Sequence, residues 1–341
     1  MKWLTLLLIT PLLAAATASR AELPAHVPFL DARFEVVEEQ NVVFGQGRVH
    51  HGPEPGQRRL LLDAYLPAGD TSPARRPAVI LAHGGSFHRG SRRDDSVIEN
   101  GAKNTPMRSY CQDLARRGYA CFSIDYRLAP EDPAPGDHLL ERLMDPVEAV
   151  SPAATARVDT TRLTMGLPPL DERSRAQLWH AILAAASDLD SAVAFVRKEY
   201  ARFNVDPTRI AIGGFSAGAI SAINVAYGMG TPVSAVVALS GSMWGYDLLR
   251  QFGTDTPPPA LLLLGQQDLP SVMAGTRGLL QLFGERGVSH EFAWVPGFGH
   301  FYPSAAVTLS ASGKRRPVDE AIAEFLYREL RLAVLSAELE D

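Results

Sequence analysis

The sequence predicts an α/β fold built on a mainly parallel central sheet. Short apolar runs alternate with helix-period segments through most of the chain, the arrangement that βαβ units produce. The clearest helix runs from Ala176 to Tyr200, where Leu178, Ile182, Ala186, Leu189, Val193, Val196 and Tyr200 recur at steps of three and four, an apolar stripe made to pack on a sheet. With 341 residues, 46% of them hydrophobic, there is ample material to bury.

The N-terminus stands apart from that pattern. In "MKWLTLLLITPLLAAATASRAE", Lys2 precedes an apolar run from Trp3 to Ala16, and Ala16-Thr17-Ala18 forms a small-residue cleavage site. Residues 1–18 therefore read as a secretory signal peptide, the run being short for a membrane span. The remainder, 19–341, is expected to be one secreted or periplasmic domain without an integral membrane span. Residues 38–58, rich in Gly and Pro, are expected to form a hairpin with a loop. The expected strands then follow in order as "RLLLDAYLP", "PAVILAHGG", "YACFSIDYR", "RIAIGGF", "VSAVVALSG", "ALLLLGQQD" and "HEFAWVPG". A second amphipathic helix near the C-terminus carries Ile322, Phe325, Leu326 and Leu330. Two stretches break the alternation: the polar segment 88–106, and 131–175, Pro-rich and poorly periodic, which reads as a lid or insertion. Cys111 and Cys121 flank a helix end, the Gly118 turn and a strand. They are either a disulfide, which export permits, or two buried thiols.

Several function classes lack support. A net charge of −5 with no Lys/Arg stripe gives no reason to expect nucleic acid. Neither zinc-protease, phosphate-loop nor dinucleotide motifs occur, and the adjacent His50 and His51 do not by themselves make a metal site, so no metal and no cofactor are expected.

The chemistry-bearing pattern starts at Gly214-Phe215-Ser216-Ala217-Gly218, a G-x-S-x-G between an apolar strand and a helix-like stretch. A sharp strand-to-helix turn holds such a serine in a strained conformation, with small residues at either side to let the chain fold that tightly. A serine hydroxyl becomes nucleophilic when a base takes its proton. His300, in the loop "PGFGHFYP" after a strand, is the candidate base, whereas His290 starts that strand at its opposite end. Asp268, in the loop after the preceding strand, is the candidate acid, better placed than Asp247 or Asp255. "AHGGSF" after an earlier strand supplies candidate oxyanion donors, the N–H groups of Gly85 and Ser86, joined by that of Ala217. Phe87, Trp244, Tyr246 and Phe298 are candidates to line the substrate pocket, with plain packing as the other reading.

On "HGGSF", "SIDYRLAP", "DPTRIAIGGFSAG", "LLGQQD" and "GFGHF", the chain resembles the α/β-hydrolase superfamily, specifically carboxylesterases of the hormone-sensitive-lipase and type-B kind. The resemblance implies a mostly parallel sheet of about eight strands flanked by helices, and a cofactor-free acyl transfer. The partner implied is an ester, small or polymer-borne. Two departures stand out: Ser86 occupies the place of a third glycine, and the stretch after "DYRLAP" is longer than the usual connection. Three rival readings share the framework: an esterase for acylated polysaccharide or polyester, a serine peptidase of the prolyl-oligopeptidase type, and a catalytically silent binding protein.

Overall fold

The computed structural model describes residues 27–49, 56–69, 74–138 and 140–335. The expected signal peptide at 1–18 and the His50-His51 pair lie outside them. Two strands open the fold as an antiparallel ladder, β1 (Val36–Val49) and β2 (Gly56–Pro67). Next in the chain come β3 (Arg76–Ala82), the two-residue strands β4 (Ile98–Glu99) and β5 (Ala102–Lys103), and β6 (Ala120–Ile124). The series continues with β7 (Val205–Phe215), β8 (Ala235–Leu239), β9 (Ala260–Gly265) and β10 (His290–Val295), and ends with β11 (Val307–Ser310) and β12 (Arg315–Pro317).

The main sheet has the order β1-β2-β6-β3-β7-β8-β9-β10-β11-β12, while β4 and β5 pair only with each other. From β6 to β10 every neighbouring pair is parallel; both ends are antiparallel. The sheet is thus mixed and has ten strands where about eight were expected. The excess is the β11–β12 hairpin, whose polar, short strands carry little apolar signal.

Strands β3, β6, β8 and β9 are buried along their whole length, which is why they read as unbroken apolar runs and not as alternation. Helix α4 (Glu172–Lys198) covers one face through Leu178, Ile182, Leu189 and Val193, together with α6 (Pro270–Arg286) through Leu279, Leu282 and Phe283. Asp171 caps it, accepting the Ser174 N–H at 2.8 Å, and Arg197 and Lys198 close its last turn, where cations suit the helix dipole. The opposite face is covered by α1 (Met107–Arg116) and α7 (Val318–Glu329). Cys111 on α1 and Cys121 on β6 are joined in a disulfide, with Cα atoms 5.0 Å apart across the Gly118 turn.

Between β6 and α4 the chain is helical where poor periodicity pointed to loop. Pro146 and Pro152 are the first residues of α2 (Pro146–Ala149) and α3 (Pro152–Thr164), a position where proline's missing N–H costs nothing. The buried residues of α3 are Thr155, Val158, Thr161 and Arg162, mostly polar, so the helix shows no apolar stripe. Among the described residues no helix is long and apolar enough to cross a membrane.

Candidate active site

Strand β7 ends at Phe215 and α5 (Ala217–Ile223) begins two residues later, leaving Ser216 alone in the turn with φ 52° and ψ −113°. A left-handed backbone at a non-glycine residue is costly and must be imposed by its surroundings. Here the turn presses on the end of β3: a Cβ at Gly218 would lie 2.0 Å from the Ala82 carbonyl oxygen, and one at Gly214 would lie 2.3 Å from it. Both glycines are demanded by that close approach.

The turn raises the Ser216 hydroxyl toward the loop after β10. His300 Nε2 lies 2.9 Å from Ser216 Oγ, and His300 Nδ1 lies 2.6 Å from Asp268 Oδ1. A carboxylate only accepts, so Nδ1 carries the proton and Nε2 is left to accept from the serine. Asp268 and His300 are buried, while Ser216 is partly exposed. Phe215 and Phe301 pack beside the imidazole, with ring centroids 5.3 and 4.9 Å away. His290, at the start of β10, instead pairs with the Val288 carbonyl.

Further groups fix the carboxylate. Asp268 Oδ1 also accepts the Leu269 N–H at 2.6 Å, and Oδ2 accepts the hydroxyl of Ser240, just past β8, at 2.6 Å. Ser240 Oγ lies 3.2 Å from the buried Tyr302 hydroxyl, which donates to the Leu263 carbonyl. Burial raises the Tyr302 phenol, so it stays a neutral donor. Neither residue is legible as part of the site in the sequence; the only signal is that each adjoins a strand-end loop.

The loop after β3 is strained throughout: φ is +127° at Gly85, +56° at Ser86 and +57° at Phe87. Gly85 is obligatory, since a Cβ there would sit 2.0 Å from the Arg89 carbonyl oxygen. The buried Asp95 accepts the Gly84 N–H at 2.9 Å and the Met107 N–H at 3.1 Å, tying the loop to the start of α1. Burial pushes the Asp95 carboxyl up and the neighbouring His83 imidazole down. Among the described residues no acceptor faces the N–H groups of Gly85 and Ser86, and Ala217 opens a helix, where the first N–H groups lack intrahelical partners. Ser86 also touches α3, its Oγ lying 3.0 Å from Thr161 Oγ1.

A cavity of about 270 Å³ adjoins Ser216. Its walls are largely apolar, with Phe87, Met144, Val158, Ile220 and Trp244 among them, and α2 and α3 supply one side. The stretch 131–175 therefore builds part of the cavity. Of the aromatic pocket candidates, Phe87 and Trp244 line it, in an edge-to-face pair with centroids 5.9 Å apart. Tyr246 and Phe298 do not. Tyr246 is buried, its hydroxyl 2.7 Å from His138 Nδ1, its ring filling the space that a side chain at Gly228 would take. Phe298 packs on the α1–α7 face of the sheet, while Phe87 and Trp244 belong to the α4 face. Among the described residues no group of three or more metal-binding side chains occurs.

The family described as BD-FAE matches residues 62–138, and the family described as phospholipase/carboxylesterase matches 145–300. The chain is an α/β-hydrolase of the carboxylesterase type. The first match spans the Gly85–Ser86 loop and the second spans Ser216, Asp268 and His300, so the candidate site draws on both matched segments. Its fold is shared with a thermophilic esterase from the planctomycete Thermogutta terrifontis. That structure superposes with a TM-score of 0.52 at 16% identity, covering 86% of this chain and 92% of that one. The same esterase phosphonylated by cyclosarin gives a TM-score of 0.53 at 16% identity, covering 87% and 94%. No curated protein sequence matches this carboxylesterase-type chain.

Proposed function

We propose that this protein hydrolyses carboxylic esters through Ser216, His300 and Asp268 by way of an acyl-enzyme. The observation that carries the reading is the continuous hydrogen-bonded chain from Asp268 through His300 to Ser216, ending at an apolar cavity. His300 takes the Ser216 proton as the hydroxyl attacks the ester carbonyl. The oxygen that becomes negative is held by the N–H groups of Gly85, Ser86 and Ala217. His300 then protonates the leaving alcohol, and water, activated by the same imidazole, releases the acid. Asp268 orients the imidazole and stabilises it when it is charged.

A cavity of about 270 Å³ is small beside the roughly 300–1,000 Å³ of typical ligand pockets, which supports a short acyl group. The leader-like residues 1–18 support export, and a disulfide suits an oxidising compartment. The test is hydrolysis of p-nitrophenyl acetate and butyrate. Ser216→Ala is expected to lower kcat on the order of 10⁴-fold or more, as removal of a triad member does. Undiminished activity in that variant would sink the reading.

A further inference from the structure

The cavity beside Ser216 is apolar on most sides but not on all. Where the loop after β8 meets α6, its wall is made by Ser242, Leu269, Ser271 and Val272. Two close approaches hold the loop there. A Cβ at Gly241 would lie 2.4 Å from the Ala219 Cβ on α5, and one at Gly275 would lie 2.7 Å from the Ser242 Cβ. Ser242 is therefore pinned between α6 and the helix that follows the nucleophile. The same loop starts at the nucleophile, since the Leu239 carbonyl accepts the Ser216 N–H at 2.8 Å. Three residues of chain span at most about 10 Å, so Ser242 stays within reach of a short group bound to Ser216. Among the described residues that wall the cavity His300 is absent, and the alcohol leaves on the side of the histidine that protonates it, so the cavity holds the acyl part.

Hydroxyls close to this corner are satisfied: Ser240 donates to Asp268 at 2.6 Å and Thr276 to the Gly241 carbonyl at 3.0 Å. Ser242 differs. It is only 7% exposed, and its hydroxyl has no hydrogen-bond partner among the described residues. A buried hydroxyl left so is unfavourable unless a ligand supplies the partner. The start of α6 adds donors of its own. Leu269 provides no side-chain cap, Pro270 has no N–H, and the Met273 N–H is taken by the Leu269 carbonyl at 2.9 Å, which leaves the Ser271 and Val272 amides without acceptors among the described residues. Ser271 and Val272 precede Gly275 by four and three residues, so they stand on the side of α6 where Ser242 packs. All these groups donate, and what fits them is an oxygen that accepts. Charge narrows the choice further. Asp268 immediately precedes the helix, Glu148 stands in the cavity wall, and Arg157, the cation in that wall, is paired with Glu99 at 2.7 Å. An added anion would face two carboxylates, whereas a neutral carbonyl or ether oxygen meets the donors without that repulsion.

Resting on the ester-hydrolase reading, we infer that Ser242 and the first amides of α6 form an acyl subsite that takes a neutral oxygen acceptor. The preferred substrate is then an ester of a short oxo or alkoxy acid, whose apolar acyl chain carries a carbonyl or ether oxygen, and not an ester of a plain fatty acid.

The test uses p-nitrophenyl esters on the full-length enzyme in two near-isosteric pairs, 4-oxopentanoate against 4-methylpentanoate and 5-oxohexanoate against 5-methylhexanoate. A wholly apolar pocket would favour the branched member of each pair, because a methyl group gains more from burial than a keto oxygen. With the subsite, kcat/KM is expected to be about tenfold higher for the oxo ester in at least one pair. Ser242→Ala should lower that ratio about fivefold, as loss of one hydrogen bond does. Because the readout is a ratio compared between variant and wild type, both a general loss of folded enzyme and the inherent reactivity of each ester cancel. Absence of a preference for the oxo ester in both pairs, or a preference that Ser242→Ala leaves unchanged, overturns the acyl subsite alone. Cleavage of p-nitrophenyl acetate but of none of the longer esters does the same. Failure to cleave the acetate as well overturns the ester-hydrolase reading and the subsite with it.

Discussion

Ser86 Oγ and Thr161 Oγ1 lie 3.0 Å apart, a hydrogen bond that links the proposed oxyanion loop to a helix 75 residues away in sequence. Thr161 donates to the Arg157 carbonyl, so Ser86 is the donor in the pair. The serine in the place of a third glycine thus anchors a left-handed turn. Thr161→Val keeps the shape and removes the acceptor. It is expected to lower kcat about tenfold with KM nearly unchanged, because a misaimed donor is felt in the transition state. Thr161→Ser should restore the rate. Equal effects on kcat and KM, or no rescue, would refute a positioning role.

Ser240 holds the oxygen of Asp268 that His300 does not use. Ser240→Ala leaves a buried carboxylate oxygen without its donor and should lower thermal stability by about 1–3 kcal/mol. The same change should reduce kcat for p-nitrophenyl butyrate about tenfold as the imidazole loses its fixed partner. Denaturant melts and steady-state rates measured on one preparation check both.

His88 gives the fold an acid limit. Its Nε2 accepts from Arg162 Nη1 at 3.1 Å, so Nδ1 carries the proton and donates to the Ser86 carbonyl at 2.9 Å. Burial, with Arg162 adding to it, lowers the imidazole to about 4. The unfolded chain, with a histidine near 6.5, therefore binds the proton first as pH falls. The contribution of His88 is complete above about pH 6.5 and is lost progressively down to about pH 4, a loss of about 3 kcal/mol. Chemical denaturation across that window should show the decline, and His88→Asn should flatten it. An unaltered slope in the variant would exclude His88 as the cause.

The bridge between α1 and β6 closes a loop of ten residues. Mass spectrometry of the unreduced, alkylated protein should find both cysteines unmodified. Replacing Cys111 and Cys121 by serine should cost about 3 kcal/mol on the chain-entropy account, less where the unfolded state keeps structure. Two alkylated cysteines in the native protein would reject the bridge.

Much of the arrangement was legible because it sits at strand ends. Ser216, Asp268 and His300 each follow an apolar run, and parallel strands bring the loops at their carboxyl ends together. The direction of a loop side chain has no such signature. Tyr246 and Trp244 are two residues apart in one loop, yet one turns inward to His138 and the other lines the cavity. Helix α3 was hidden for a different reason. Three of its four buried positions, Thr155, Thr161 and Arg162, are polar, so the apolar period of core packing is missing. Ser240 and Tyr302 act through another side chain, and nothing local marks such a role.

The β11–β12 hairpin also decides how the molecule ends on that side. Without it β10, with the apolar Phe292, Ala293 and Trp294, would offer its free amides to any passing strand. With it, the rim becomes a three-residue strand reading Arg315-Arg316-Pro317. Proline has no N–H to give to a neighbour, and the exposed Arg315 sets a charge on the rim, while Arg316 is turned back into an ion pair with Glu291. The sheet thus finishes, on that side, in a border that resists the addition of a further strand.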